Sequence, residues 1–102
     1  EMLLRIEQIA REHDVVIATV GHAGDGNLHP SLVVDNERAW PAAEAIYQAA
    51  LELGGTITGE HGVGVLKRDW LPAEAGELSM TVQRSIKATL DPLGILNPGK
   101  AI

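Results

Sequence analysis

The apolar positions of this chain change period several times, and each change marks an element. Met2, Ile6, Ile9 and His13 fall on one side of a helical wheel with Leu3 and Ala10 beside them, so residues 2–13 read as a helix with one buried face. The next stretch, DVVIATVGH (14–22), is β-branched and strand-like, GDGN (24–27) has turn chemistry, and LHPSLVVD (28–35) resumes as a second strand. A hairpin is expected there. Asp35 or Asn36 can cap a helix over about residues 38–53, in which Pro41 is tolerable only near a first turn and Gly54 is the C-terminal stop. TIT (56–58) is a short third strand running into GEHGVG, and VLKRDWL (65–71) makes a helical turn or two ended by Pro72. Leu78, Val82, Ile86 and Leu90 recur every four residues, which predicts a final helix stopping at Asp91-Pro92 ahead of an irregular tail, LGILNPGKAI. Three short strands and about four helices predict an α+β fold with helices packed on one face of a small, mostly antiparallel sheet. That sheet is too small to be complete.

Composition narrows the classes. With 102 residues the chain is one domain or less, and 45 % of it is apolar without a single Phe, so its core is aliphatic. Eight basic against fourteen acidic residues give a formal charge of −6, the wrong balance for clustered phosphate contacts, which argues against nucleic acid. The longest apolar run, VVIATV, falls far short of the roughly 20 residues of a membrane span, and no signal peptide is visible. Absence of cysteine removes thiolate chemistry and leaves the cytoplasm as a default location. The first residues already lie inside an amphipathic pattern with no room for an N-cap, so the chain is expected to be the excised end of something longer.

Two of the four histidines flank the predicted turn, in GHAGDGNLHP (21–30). If the hairpin turns on Asp25-Gly26, the most favourable pair here for a type I′ turn, His22 faces His29 across the strands with Cβ atoms about 4.5–5.5 Å apart. Both imidazoles then reach one cation at about 2.0–2.1 Å. Glu60, between glycines in GEHGVG, offers a third ligand and completes a His₂Glu set with positions open for water or substrate. Neighbours in an extended segment point to opposite sides, so His61 is left for chemistry, where imidazole makes the better general base. The bland alternatives are polar residues on a solvated ribbon for the histidines and loop punctuation for Gly59, Gly62 and Gly64. The glycine spacing is not a dinucleotide-binding fingerprint. Asp25 and Asn27 read as turn formers, Lys67 and Arg68 as a solvated helical face, and His13 as a dipole partner at a helix end.

Three stretches together, GHAGDGNLHP, GEHGVGVLKRDWL and LDPLGILNPGK, resemble the C-terminal domain of FAD-linked oxidases, the family of D-lactate dehydrogenase and the glycolate oxidase D subunit. The resemblance covers nearly the whole chain. It implies a flavoprotein oxidoreductase whose FAD is held mainly by a separate N-terminal domain, absent here. Residues 1–102 would then be the C-terminal, substrate and metal side of the protein, belonging to a larger ferredoxin-like sheet. It further implies that His22, His29 and Glu60 bind a divalent metal, zinc or manganese, that His61 acts as base, and that Asn97 and Lys100 approach the flavin. From the residues alone, Asn97-Pro98-Gly99 is a turn. In relatives acting on 2-hydroxyglutarate a polar amide follows the second metal histidine by two residues. Here that position is Ser31, which points away from a longer diacid substrate.

The expectation is therefore the C-terminal portion of a flavin-dependent D-2-hydroxy acid dehydrogenase or oxidase of the lactate or glycolate class, inactive by itself. The resemblance leaves the electron acceptor unnamed. An uncovered apolar face is expected to promote self-association. The competing classes are a metal-dependent hydrolase using the same three ligands and a non-catalytic, metal-stabilised binding module.

Overall fold

Helix α1 (Met2–Glu12) forms where the apolar spacing predicts it and buries Ile6 and Ile9. It ends at His13, whose N–H still reaches the carbonyl of Ile9 at 3.0 Å. Asp14 then takes a left-handed conformation (φ 51°) and the chain reverses into the hairpin. The computed structural model describes the backbone of residues 1–102 and every side chain except that of Asn36. Strands β1 (Val16–His22) and β2 (Asn27–Val33) pair antiparallel, with Val16 opposite Val33 and His22 opposite Asn27. Helix α2 (Asn36–Glu52) starts two residues earlier than the sequence predicts because the Asp35 carboxylate accepts the N–H of Arg38 at 3.2 Å. The Arg38 side chain beside it holds the Asp35 carboxyl below its usual range. Pro41 lies two residues further into the helix than expected, withholding one helical hydrogen bond.

The side chains sort by parity along the hairpin. Ile17, Leu28 and Leu32 pack on the buried cluster of Ile6, Ile9, Val15, Ala42, Ile46 and Ala49. The opposite face carries Val16, Val20 and Val33 exposed, and ends in His22 and His29. Ala42, Ile46 and Ala49 form one stripe of α2, and two fully buried alanines let the neighbouring elements come close. Arg5 and Glu52 join α1 to α2 across the rim at 3.2 Å.

Two expectations need correction. The third strand at 56–58 does not form: the sheet has two strands. There the hydroxyl of Thr56 accepts the N–H of Thr58 at 3.3 Å and lies 3.1 Å from the Thr58 hydroxyl, so local bonds compete with a ladder. Pro72 does not end a helix but sits in the first turn of one, where its missing N–H costs nothing. A 3₁₀ turn (Arg68–Trp70) leads into α3 (Leu71–Leu90), which is broken at Gly76 by φ 75° and ψ 160°. The fourfold apolar repeat does mark a helix, but its members are exposed, Leu78 at 81 % and Leu90 at 74 %, while Met80 is the buried residue of α3.

By internal contacts the chain forms two units, Glu1–Glu60 and His61–Ile102. The first holds the α+β layer, with helices on one face of an antiparallel pair. The second is the 3₁₀ turn, α3 and the tail. No helix among the described residues is long and apolar enough to cross a membrane.

Because Ile6 is 2 % exposed at the centre of the first unit's core, Ile6→Ala should destabilise that unit by about 2–5 kcal/mol. Urea unfolding followed by circular dichroism measures this. A loss below about 0.5 kcal/mol, the scale of surface substitutions, would contradict the packing described.

Candidate metal centre

The site is built at the turn end of the hairpin, and the turn differs from the one the sequence predicts. The carbonyl of His22 accepts the N–H of Asp25 at 3.1 Å, and Gly26 takes the left-handed position (φ 66°), so residues 23–26 form a four-residue loop. Asp25 has no positive φ, which rules out the two-residue type I′ turn on Asp25-Gly26. His22 therefore faces Asn27, and His29 faces Val20. The register has moved by two residues. A shift of two preserves the face, since side chains alternate with period two, so the histidines become diagonal neighbours on one side of the ribbon. Their rings meet edge to face, with centroids 5.3 Å apart and planes at 88°. Gly21 permits the close approach of the strands: a Cβ there would lie 2.6 Å from the Asn27 carbonyl oxygen and 2.8 Å from Leu28 Cδ2.

Glu60 arrives from the loop after α2, in a turn rather than the extended segment the sequence predicts. Its Oε1 lies 3.7 Å from His22 Nε2 and 3.9 Å from His29 Nε2. Its other oxygen, Oε2, accepts a hydrogen bond from Asn27 Nδ2. One carboxylate oxygen is thus held by the amide and the other is turned toward the two rings. Gly59 makes room for this: its φ is 53°, and a Cβ would come within 2.5 Å of Asn27 Oδ1.

One ligand atom from each of His22, His29 and Glu60 lies within 4.8 Å of the others. Ligands at about 2.0–2.1 Å from a tetrahedral cation stand roughly 3.3 Å apart, so small side-chain rotations bring all three into a first coordination sphere. Two imidazoles and a carboxylate suit zinc or manganese chemically. His29 is the most covered side chain at 24 % exposure, while His22 and Glu60 are more than half exposed, which leaves coordination positions open.

The other expected site residues belong to the second unit. His61 opens it and is exposed. Asn97, at φ 47°, and Lys100 lie in the tail, where the N–H of Ala101 bonds the Gly64 carbonyl at 2.8 Å. Two residues carry more than the sequence suggests. Asn27 reads as a turn former, yet it orients Glu60; the available signal was parity, because it lies two residues before His29 and so shares its strand face. Arg68 reads as solvated, yet its Nη1 donates to the Gly99 carbonyl at 3.3 Å. Nothing in the local pattern announces that contact across 31 residues.

Comparison with known proteins matches this chain over residues 1–101 to the family described as FAD linked oxidases, C-terminal domain. Glycolate oxidase subunit GlcD of Bacillus subtilis is 46 % identical over 105 residues, covering 97 % of this chain and 22 % of the relative. The mitochondrial D-lactate dehydrogenase [cytochrome] of Kluyveromyces lactis is 45 % identical over 89 residues, covering 84 % of this chain and 16 % of the relative. Glycolate oxidase subunit GlcD of Escherichia coli is 40 % identical over 103 residues, 95 % of this chain and 21 % of the relative. The chain spans about a fifth of the length of these relatives.

Asn27→Ala removes the group that turns Glu60 toward the imidazoles while leaving all three candidate ligands in place. It should weaken divalent-cation binding about ten- to a hundredfold, the usual cost of losing a partner that orients a ligand. Titration calorimetry with zinc on the intact protein reads this directly, and an unchanged affinity would show that Asn27 has no part in the site.

Proposed function

Because the chain belongs to the C-terminal domain family of FAD linked oxidases, we propose that the protein containing it oxidises a small D-2-hydroxy acid of the lactate or glycolate class to the 2-oxo acid, with FAD as electron acceptor. The observation that carries the reading is the convergence of His22, His29 and Glu60 in a chain of this family, whose relatives' names carry glycolate and D-lactate. In this reading the three side chains hold a divalent cation, zinc or manganese, and the flavin is held mainly by a part of the protein outside these residues. Bound there, the cation supplies Lewis-acid polarisation of the substrate's hydroxyl and carboxylate oxygens, and the flavin supplies a two-electron sink.

The protein's own residues then divide the work. Asn27 fixes the direction of Glu60, and the half-open cluster leaves space for two substrate oxygens. His61 takes the hydroxyl proton on a ring nitrogen as the Cα–H bond breaks with departure of hydride and the carbonyl forms. The protonated imidazole releases its proton to solvent after turnover. Asn97 and Lys100 meet the flavin from the tail. Ser31, a short side chain on the same strand face as His29, suits a small substrate rather than a long diacid.

Replacing His61 by Ala in the intact flavoprotein should lower kcat by roughly 10²–10⁴ while bound cation and flavin stay at their parental stoichiometry. A dye-coupled assay with D-lactate and glycolate, combined with metal analysis, tests the reading. Absence of turnover on any 2-hydroxy acid by the parental protein would overturn the function. Loss of cation in the variant, with the rate restored by added metal, would make His61 a ligand instead of a base.

A further inference from the structure

The irregular tail after α3 is held at both ends by polar contacts. Asp91, buried at the end of α3, accepts hydrogen bonds from the N–H groups of Ile95 and Leu96, each at 3.0 Å, and from Lys87 Nζ. The Lys87 ammonium and these two amides hold the Asp91 carboxyl below its ordinary range. Lys87 Nζ also donates to the carbonyl of Leu96 at 2.6 Å. On the far side of the turn, Arg68 Nη1 donates to the carbonyl of Gly99 at 3.3 Å, and the N–H of Ala101 to the carbonyl of Gly64 at 2.8 Å.

The Asn97–Lys100 turn is therefore suspended between two cations, Lys87 on the carbonyl just before it and Arg68 on a carbonyl within it. Its backbone is unusual. Ala101 (φ 58°) occupies the left-handed region, which residues other than glycine and asparagine hold only where their surroundings over-determine it, and Asn97 (φ 47°) shares that region at little cost. The Gly64 bond also fastens this turn to the glycine-rich segment that begins at His61.

We propose that Lys87 and Arg68 are positioning residues that hold the Asn97–Lys100 turn preformed for contact with the flavin, an inference that rests on the flavin role given to Asn97 and Lys100 above. Arg68 is about half exposed and sits 3.7 Å from Asp69, so its bond to Gly99 contributes little to overall stability. Its effect belongs in the shape of the turn, and so in flavin properties rather than in unfolding.

The test uses the intact flavoprotein and the variants Lys87→Met, Arg68→Met, Arg68→Lys and Asn97→Ala. Flavin affinity is read by fluorescence, flavin environment by the visible spectrum, and turnover as separate kcat and KM values. Lys87→Met should weaken flavin binding about tenfold, the scale of one charge-assisted hydrogen bond, and the more exposed Arg68→Met about two- to fivefold, each with a changed flavin spectrum and lower kcat. KM for the hydroxy acid and bound cation should stay parental, and Arg68→Lys, which keeps the charge and stem, should recover part of the loss. If Asn97→Ala weakens flavin binding while both methionine variants behave as the parent, the positioning role is overturned and the flavin reading stands. If Asn97→Ala leaves affinity and spectrum unchanged, the flavin reading of the turn fails and takes the positioning role with it. Should Lys87→Met not fold, the Arg68 pair decides alone: parental flavin affinity in Arg68→Met overturns the proposal.

Discussion

The antiparallel register that sets His22 opposite Asn27 and Val20 opposite His29 governs the candidate site, because alternation along a strand leaves no freedom in which side chains share a face. A slip of one residue would send His29 to the packed side and expose Leu28 in its place. That slip is opposed by the core itself, since Ile17, Leu28 and Leu32 are the residues the hairpin lays on α1 and α2. Burial of aliphatic surface at one face thus specifies ligand placement on the other. Beyond that register, the site relies on the Gly21 approach, the Gly59 turn and the Asn27 amide.

Reading of the sequence succeeded where a periodic signal met a local chemical one. The alternation in β1 and β2, the cap at Asp35 and the gathering of His22, His29 and Glu60 into one cluster were all legible for that reason. The turn length was not. Asp-Gly favours a two-residue turn in isolation, but the hydrogen bond from Asp25 to His22 and the left-handed Gly26 make a four-residue loop, a choice decided by backbone conformation along the whole connection. The error left the histidines on a common face because it amounted to an even number of residues. Residues 56–58 failed for a different cause: β-branched Thr and Ile suggest a strand, while the threonine hydroxyls engage the local backbone.

The fourfold stripe on α3 shows the limit of periodicity. Leu78, Val82, Ile86 and Leu90 announce a helix because apolar residues recur at helical spacing, yet the spacing says nothing of what the face meets. Long-range polar contacts are equally silent in sequence. The Arg68 to Gly99 bond and the Lys87 to Leu96 bond join residues of ordinary surface type to backbone carbonyls, which every residue carries. Asn97 and Lys100 stand in a motif of the family, but the turn bearing them is braced by contacts that no motif records.

In the proposed reading, one hairpin and one glutamate make a single cation site in which His61 takes no part as ligand. Nitrogen-15 NMR of the imidazole rings during a zinc titration of the intact protein tests it most directly. The account predicts that one ring nitrogen each of His22 and His29 shifts to a metal-bound position together, complete at one equivalent, while the rings of His13 and His61 remain unligated. Metal-bound shifts at His61, or a response confined to one of the two hairpin histidines, would contradict it.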